Sequence, residues 1–148
     1  MIFEGVIIKD LNEFNDQRGW LAEIFRDDET DFSPAMSYIS MTRPGIARGP
    51  HEHHEQSDYF CFLGNFRLYL WDNRKESKTY NEKIIIDKQG ASFIAIVPPR
   101  VVHAYVNSGS EDAFVINLPD RLFKGKGKAF PVDEVRYEND PDSPYRID

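Results

Sequence analysis

A chain of 148 residues, 41% hydrophobic and 14% aromatic, is long enough to bury a core as one domain and too apolar to remain disordered. Its formal net charge of -7 argues against nucleic acid and anionic membrane surfaces as general partners. A phosphorylated ligand would have to be gripped by converging arginines, not drawn in by the overall field.

The start Met1-Ile2-Phe3-Glu4 has no basic leader and no long apolar run, so the expectation is a cytoplasmic protein without signal peptide or membrane span. No stretch has helical periodicity of useful length. Short runs rich in Ile, Val, Phe and Tyr alternate at period two between turn residues, which predicts strands over 3–8, 19–25 and 36–41. Strands over 59–63 and 66–72 flank Gly64-Asn65, a dipeptide suited to a tight primed turn, and the pair is expected to form a hairpin. In the second of them Phe66, Leu68 and Leu70 face one way and Arg67, Tyr69 and Trp71 the other. The single cysteine, Cys61, excludes an internal disulfide framework and reads as a small core residue. Further strands are expected over 82–87, 92–97, 103–106 and 113–118. Lys124, Gly125, Lys126, Gly127 and Lys128 read as a mobile basic loop of solvated lysines. The tail from Pro131, with Asp140-Pro141-Asp142-Ser143-Pro144, reads as irregular. The pattern of short strands with almost no helix predicts a sandwich or barrel in one domain over 1–148.

Three of the four histidines lie in Arg48-Gly49-Pro50-His51-Glu52-His53-His54-Glu55-Gln56-Ser57-Asp58, and the fourth, His103, in Val97-Pro98-Pro99-Arg100-Val101-Val102-His103-Ala104-Tyr105-Val106-Asn107. On an extended strand His51 and His53 project from one face and His54 from the other, where it reads as a solvated residue. His-x-His, four residues, an acid and then Gly64, followed by Pro98, His103 and Asn107, resembles the two signature segments of the cupin superfamily. The resemblance implies an all-β cupin-type jelly roll, a double-stranded β-helix barrel. In many cupins the residues matching His51, His53, Asp58 and His103 hold a divalent transition metal, and imidazoles with one carboxylate suit such an ion. The same side chains also form metal-free acid/base sites, and no cofactor is the leading expectation.

Further motifs narrow the resemblance. Asp16-Gln17-Arg18-Gly19-Trp20-Leu21-Ala22-Glu23, Gly45-Ile46-Ala47-Arg48-Gly49-Pro50-His51, Asp72-Asn73-Arg74-Lys75-Glu76-Ser77-Lys78-Thr79-Tyr80, Pro98 to Val106 and Asn139-Asp140-Pro141 are similar, in order, to segments of the dTDP-4-dehydrorhamnose 3,5-epimerase family. That resemblance implies proton abstraction next to the ketone of a dTDP-4-keto-6-deoxyhexose, in deoxysugar or surface polysaccharide biosynthesis. It places His51 on the catalytic base, Arg18 and Glu23 on nucleotide contacts, Arg48 on a diphosphate contact, and Gln56 and His103 among the substrate-binding residues. It also implies a homodimer formed through an N-terminal strand. The chain departs from the family at three points. Asp58 stands where the family has a lysine, Asn117 where it has a catalytic tyrosine, and the carboxylate that pairs with the base is expected beyond Asp148. Arg48-Gly49-Pro50-His51-Glu52-His53 is also similar to the dTDP-sugar 3,4-ketoisomerases, which use both histidines. That likeness makes His53 the second acid/base candidate, ahead of Tyr38, Tyr59 and Tyr105. A binding module that keeps the nucleotide-sugar pocket without catalysis is the remaining alternative.

Overall fold

Two five-stranded antiparallel sheets pack their inner faces around a shared apolar core. The computed structural model describes residues 2–148. In chain order the strands are β1 (Ile7–Asp10), β2 (Phe14–Asp16), β3 (Gly19–Leu21), β4 (Tyr38–Thr42), β5 (Ala47–Glu52), β6 (Asp58–Leu63), β7 (Phe66–Asp72), β8 (Lys83–Lys88), β9 (Phe93–Val97), β10 (Val101–Asn107), β11 (Ala113–Asn117) and β12 (Val135–Arg136). One sheet runs β1-β9-β6-β11-β4, the other β12-β5-β10-β7-β8, and β2 with β3 forms a separate hairpin. This is the jelly-roll arrangement expected from the sequence. A 3-10 turn at Lys126–Lys128 is the helical element of the described residues, and none of their helices is long and apolar enough to cross a membrane.

The core between the sheets takes Phe60 and Phe62 from β6, Phe66, Leu68 and Leu70 from β7, Phe93 and Val97 from β9, and Val101 and Tyr105 from β10. Phe62 stacks on Phe93 with ring centroids 4.6 Å apart, and truncating either ring would cost about 3–5 kcal/mol. The alternation read along β7 holds, since Tyr69 and Trp71 lie on the outer side with Val102 and Ala104. Cys61 is buried on the outer side of the other sheet.

The expected hairpin between residues 59–63 and 66–72 does not form. β6 pairs with β9 and β11, while β7 pairs with β8 and β10. Gly64, at φ +127°, carries the chain from one sheet to the other, where a Cβ would come within 2.8 Å of the Ala113 Cβ. The physical reason is that Phe60 and Phe62 face Phe66 and Leu68 across the core, which a flat hairpin would prevent. The first strand begins later than expected, because Phe3 and Val6 turn into the core before β1 starts.

The tail also departs from expectation. Val135–Arg136 adds a short strand to β5, and Tyr137, Tyr145 and Ile147 pack over Tyr69, Trp71, Val102 and Ala104. The Tyr69 hydroxyl donates to the Asp148 carbonyl at 2.7 Å. Proline and acid content hid two alternating patterns, Val135-Arg136-Tyr137 and Tyr145-Arg146-Ile147, whose apolar members share one face. The tail is therefore a strap across one sheet.

Candidate active site

Strand β5 carries an irregularity that sets up the site. His51 lies opposite His103 and Arg48 opposite Tyr105, so β5 has two residues between its members where β10 has one. An odd spacing would put Arg48 and His51 on opposite faces of a regular strand, and this bulge returns both to the inner face. Gly49 makes it possible. Its φ is +83°, and a Cβ there would meet the His103 carbonyl oxygen at 2.6 Å and the Ala104 Cα at 3.1 Å.

At this end of the core four strands and a loop bring polar groups together. His51 is the last residue but one of β5, His103 lies on β10, Asp58 opens β6 and Asn117 closes β11, with His53 just past β5. The His51 and His103 rings meet edge to face at 4.5 Å between centroids, and His53 stands 5.9 Å from His51 and 5.8 Å from His103. Asp58 is buried, with Oδ2 3.1 Å from His53 Nε2 and 3.6 Å from His103 Nε2. Its Oδ1 accepts from Gln56 Nε2 and Asn117 Nδ2, both at 2.8 Å. Asn117 Nδ2 also donates to the Tyr38 hydroxyl at 2.9 Å, and the two residues are direct cross-strand partners. His51, His53, Gln56, Asp58 and His103 thus meet as expected, with Tyr38 at the edge. His54 is exposed, as read from the sequence.

Burying so many polar groups is costly unless each finds a partner. Among the described residues four buried side-chain atoms have none, and two of them, His103 Nε2 and Asn117 Oδ1, belong to this cluster. The site holds unused hydrogen-bonding capacity where a polar ligand could enter.

Two residues that the sequence did not single out complete the site, and both come from the strap. His53 Nδ1 bonds to the Asp133 carbonyl oxygen. The Asp133 carboxylate accepts the backbone N–H groups of His54, Glu55 and Gln56 at 2.8, 2.9 and 3.0 Å, which fixes the turn that follows His53. Glu134 places Oε1 3.7 Å from His51 Nδ1, and its Oε2 accepts from Arg136 Nε at 2.8 Å. A carboxylate is expected from the sequence only beyond Asp148, yet Glu134 within the chain stands behind His51. Two acids in a proline-rich tail read as solvated charge, and only the β12 pairing, with Arg136 opposite His51, turns Glu134 inward.

The surroundings split the histidines by charge. Burial and the neighbouring His53 hold His51 down to about 4, with Asp58 opposing. Burial alone would lower His53 as well, but the hydrogen bond and charge of Asp58, the Asp133 carbonyl and Glu134 raise it to about 9. Burial acts to raise Asp58, yet His53 and His103 hold it down to about 2. His103, deepest of all, is lowered to about 3 by burial and His51. At neutral pH the cluster is a neutral His51 and His103 beside an imidazolium–carboxylate pair, His53 and Asp58. Two groups driven apart in pKa are what an acid/base pair needs.

The other candidates divide. Tyr59 donates to the Ile24 carbonyl at 2.8 Å in the outer cluster, and Tyr105 packs in the core against Phe62 and Phe66, whereas Tyr38 accepts from Asn117, the residue that also holds Asp58. Arg48 gives Nε to Thr42 Oγ1 at 3.0 Å and Nη2 to the Met41 carbonyl at 2.8 Å, beside an open depression lined by Met41, Thr42, Arg43 and Ile46. Arg18 sits at the turn of the β2–β3 hairpin, paired with Asp16 and 83% exposed, and Glu23 is exposed with Arg26 at 3.6 Å. Neither touches the histidine cluster within the chain. Asn107 closes a turn by donating to Thr42 and Glu111 carbonyls, both at 2.8 Å.

Known proteins resemble this chain in sequence and in fold. The family model described as FdtA: WxcM-like, C-terminal, matches residues 4–127. The chain is 38% identical over 124 residues to the probable low-salt glycan biosynthesis epimerase Agl13 of Haloferax volcanii, covering 80% of this chain and 79% of that protein. A dTDP sugar isomerase from Desulfovibrio desulfuricans superposes with a TM-score of 0.78 at 21% identity, over 94% of this chain and 87% of that one. QdtA, a sugar 3,4-ketoisomerase from Thermoanaerobacterium thermosaccharolyticum solved with TDP, superposes with a TM-score of 0.67 at 17% identity, over 93% and 91%.

Proposed function

The chain is a member of the FdtA family, and from that membership and the charge-split histidine pair we propose that it isomerises or epimerises a nucleotide-linked 4-keto-6-deoxy sugar. The observation that carries this reading is a neutral, half-buried His51 with a carboxylate behind it, next to an imidazolium held by Asp58. His51 takes the proton from the carbon next to the ketone, and the freed electron pair moves onto the carbonyl oxygen as an enolate. His53, positively charged beside it, supplies the positive field and the acidic proton that an enolate or enediol intermediate needs. Glu134 steadies the imidazolium that forms on His51. Incubation with dTDP-4-keto-6-deoxyglucose in deuterated water should place deuterium at C3 or C5. Absence of exchange with every nucleotide-linked keto sugar tried would overturn the reading.

A metal-dependent alternative rests on the three imidazoles, whose ligand atoms of His51, His53 and His103 lie within 4.8 Å of one another. Asp58 would complete such a set, but His53 Nε2 already meets Asp58 and its Nδ1 meets Asp133. Less than about a tenth of an equivalent of transition metal in chelator-free protein would count against it. A binding-only module is excluded if turnover is seen and is lost in His51→Ala.

The same reading takes the protein as a cytoplasmic homodimer. Ile39 and Met41 on the edge strand β4 and Phe114 on β11 are 64%, 38% and 43% exposed, and Phe14, Trp20 and Leu21 of the hairpin are exposed as well. An unpaired edge with an apolar face calls for cover, and a second copy would supply it. It would also give Arg18 and Glu23 a neighbouring site to reach. Sedimentation of wild type as a dimer, and of Ile39→Glu as a monomer, is the expected outcome.

A further inference from the structure

Glu52 stands between His51 and His53 in the chain and alternates to the opposite face of β5. It is buried there, beside the strap. Its Oε1 accepts from two donors on different elements, the Tyr137 hydroxyl at 2.7 Å and Asn73 Nδ2 at 2.9 Å, while its Oε2 is buried with no partner. A carboxylate oxygen so placed destabilises a face that is otherwise aromatic and aliphatic, with Tyr69, Trp71, Val102 and Ala104 under Tyr137 and Tyr145. Packing alone does not call for an acid here. Asn73 carries the contact on to the backbone of the site, since its N donates to the Arg100 carbonyl at 3.1 Å and Arg100 N donates to the His53 carbonyl at 2.8 Å.

What this clamp controls is the face that Glu134 presents. β12 meets β5 over two residues, Val135 opposite Glu52 and Arg136 opposite His51. In that register Val135 shares the outer face with Glu52, and Glu134 turns inward, where its Oε1 lies 3.7 Å from His51 Nδ1. A slip by one residue would send Glu134 to the outer face and leave His51 without its carboxylate. So short a ladder specifies register weakly, and the apolar packing of Tyr145 and Ile147 has no direction with which to fix it. Two polar fixings bracket the strand. On one side the Asp133 carboxylate accepts the N–H groups of His54, Glu55 and Gln56. On the other, Tyr137 N donates to the Pro50 carbonyl at 2.9 Å and the Tyr137 hydroxyl to Glu52.

Resting on the isomerase reading above, we propose that Glu52 is a positioning residue for the reaction: through Tyr137 it pins the strap in register, so that Glu134 faces His51. Glu52 lies on the far side of β5 from the histidine rings and acts through Glu134. Glu134 and Tyr137 both lie beyond the residues 4–127 that the family model matches, whereas Glu52 lies within them. The pin therefore joins the strap to the part of the chain that carries the histidines.

Glu52→Leu removes the acceptor, and Glu52→Gln keeps an oxygen for Tyr137 and Asn73. The leucine variant should lower kcat by about three- to tenfold with KM within about twofold, while the glutamine variant stays within about twofold of wild type in both. Tyr137→Phe keeps its ring against Tyr145, at 4.7 Å between centroids, and serves where the leucine variant does not fold. It should lower kcat about threefold. In a Glu134→Gln background Glu52→Leu should cost less than about twofold, since the group it aims is already gone. A loss that multiplies in full on that background overturns the proposal, and so does a kcat within about twofold of wild type for both Glu52→Leu and Tyr137→Phe. One readout needs no substrate. Nuclear Overhauser contacts between the His51 ring and the Glu134 side chain should be present in wild type and Glu52→Gln, and lost in Glu52→Leu and Tyr137→Phe. If wild type exchanges no sugar proton, the isomerase reading falls, and the Overhauser contacts still decide the register pin. If wild type does exchange and the contacts survive in both variants, the pin alone falls.

Discussion

The surroundings of His51 and of His53 differ more than two residues of sequence would suggest. The side chains are the same and face the same cluster, yet one is held neutral and the other charged. His51 has burial and a positive neighbour against it, with a carboxylate only at 3.7 Å. His53 has a buried carboxylate at 3.1 Å on one ring nitrogen and a carbonyl oxygen on the other. Residue type supplies the titratable group, and what β6 and the strap bring to each nitrogen sets its charge. The charge of each ring is thus set by packing.

The strongest way to break this pairing is at the base. His51→Asn keeps a polar side chain of modest size and should lower kcat roughly 10²–10⁴-fold while the melting temperature changes little. Steady-state kinetics beside a thermal melt would check it. Asp58→Asn acts on the acid side. Without its anion His53 falls back towards its ordinary value, so the alkaline limit of activity should move down from about 9, with kcat lower at neutral pH. The variant should also lose about 1–3 kcal/mol of stability, because the new amide nitrogen meets the N–H donors of Gln56 or Asn117. Glu134→Gln is milder. Its contact is loose, and loss of about 1.4 kcal/mol of transition-state support corresponds to a tenfold fall in kcat with KM unchanged.

The split also predicts a pH profile whose signs are fixed. Activity should rise as pH passes upward through about 4, where His51 loses its proton, and fall above about 9, where His53 loses its own. Stability follows the same groups. His51 and His103 are lowered, so the unfolded chain binds their protons at about 6.5 while the fold resists until about 4 and 3, and stability falls on acidification through that window. His53 is raised, so its contribution is full below about 6.5 and is lost as pH rises through about 9. Denaturant melts across pH would trace both limbs. The smallest effect is expected at Arg18→Ala, which should leave the melting temperature of the protomer unaltered and raise KM only.

The sequence carried the inner architecture further than the outer. Period-two alternation placed the strands, and His51, His53, Asp58 and His103 were legible as one cluster because an extended strand aligns the first two. The bulge at Gly49 was not legible, since an added residue changes which side Arg48 faces without leaving a pattern. Gly64-Asn65 misled for a related reason: a turn dipeptide specifies a reversal of direction, and only the core residues on either side decide whether the strands pair or part. Glu134 and Asp133 stayed hidden because their role depends on a two-residue strand, Val135–Arg136, anchored by aromatic packing of Tyr137 and Tyr145. Short-range signals cannot carry a contact made 80 residues away.

The assignment of base and acid is tested most directly by nitrogen chemical shifts of the histidine rings, followed by NMR from pH 3 to pH 10. The account predicts that His53 shows both ring nitrogens protonated at pH 7 and releases its proton near 9, while His51 remains neutral down to about 4. Two histidines titrating together near 6.5, or a charged His51 beside a neutral His53 at pH 7, would contradict it.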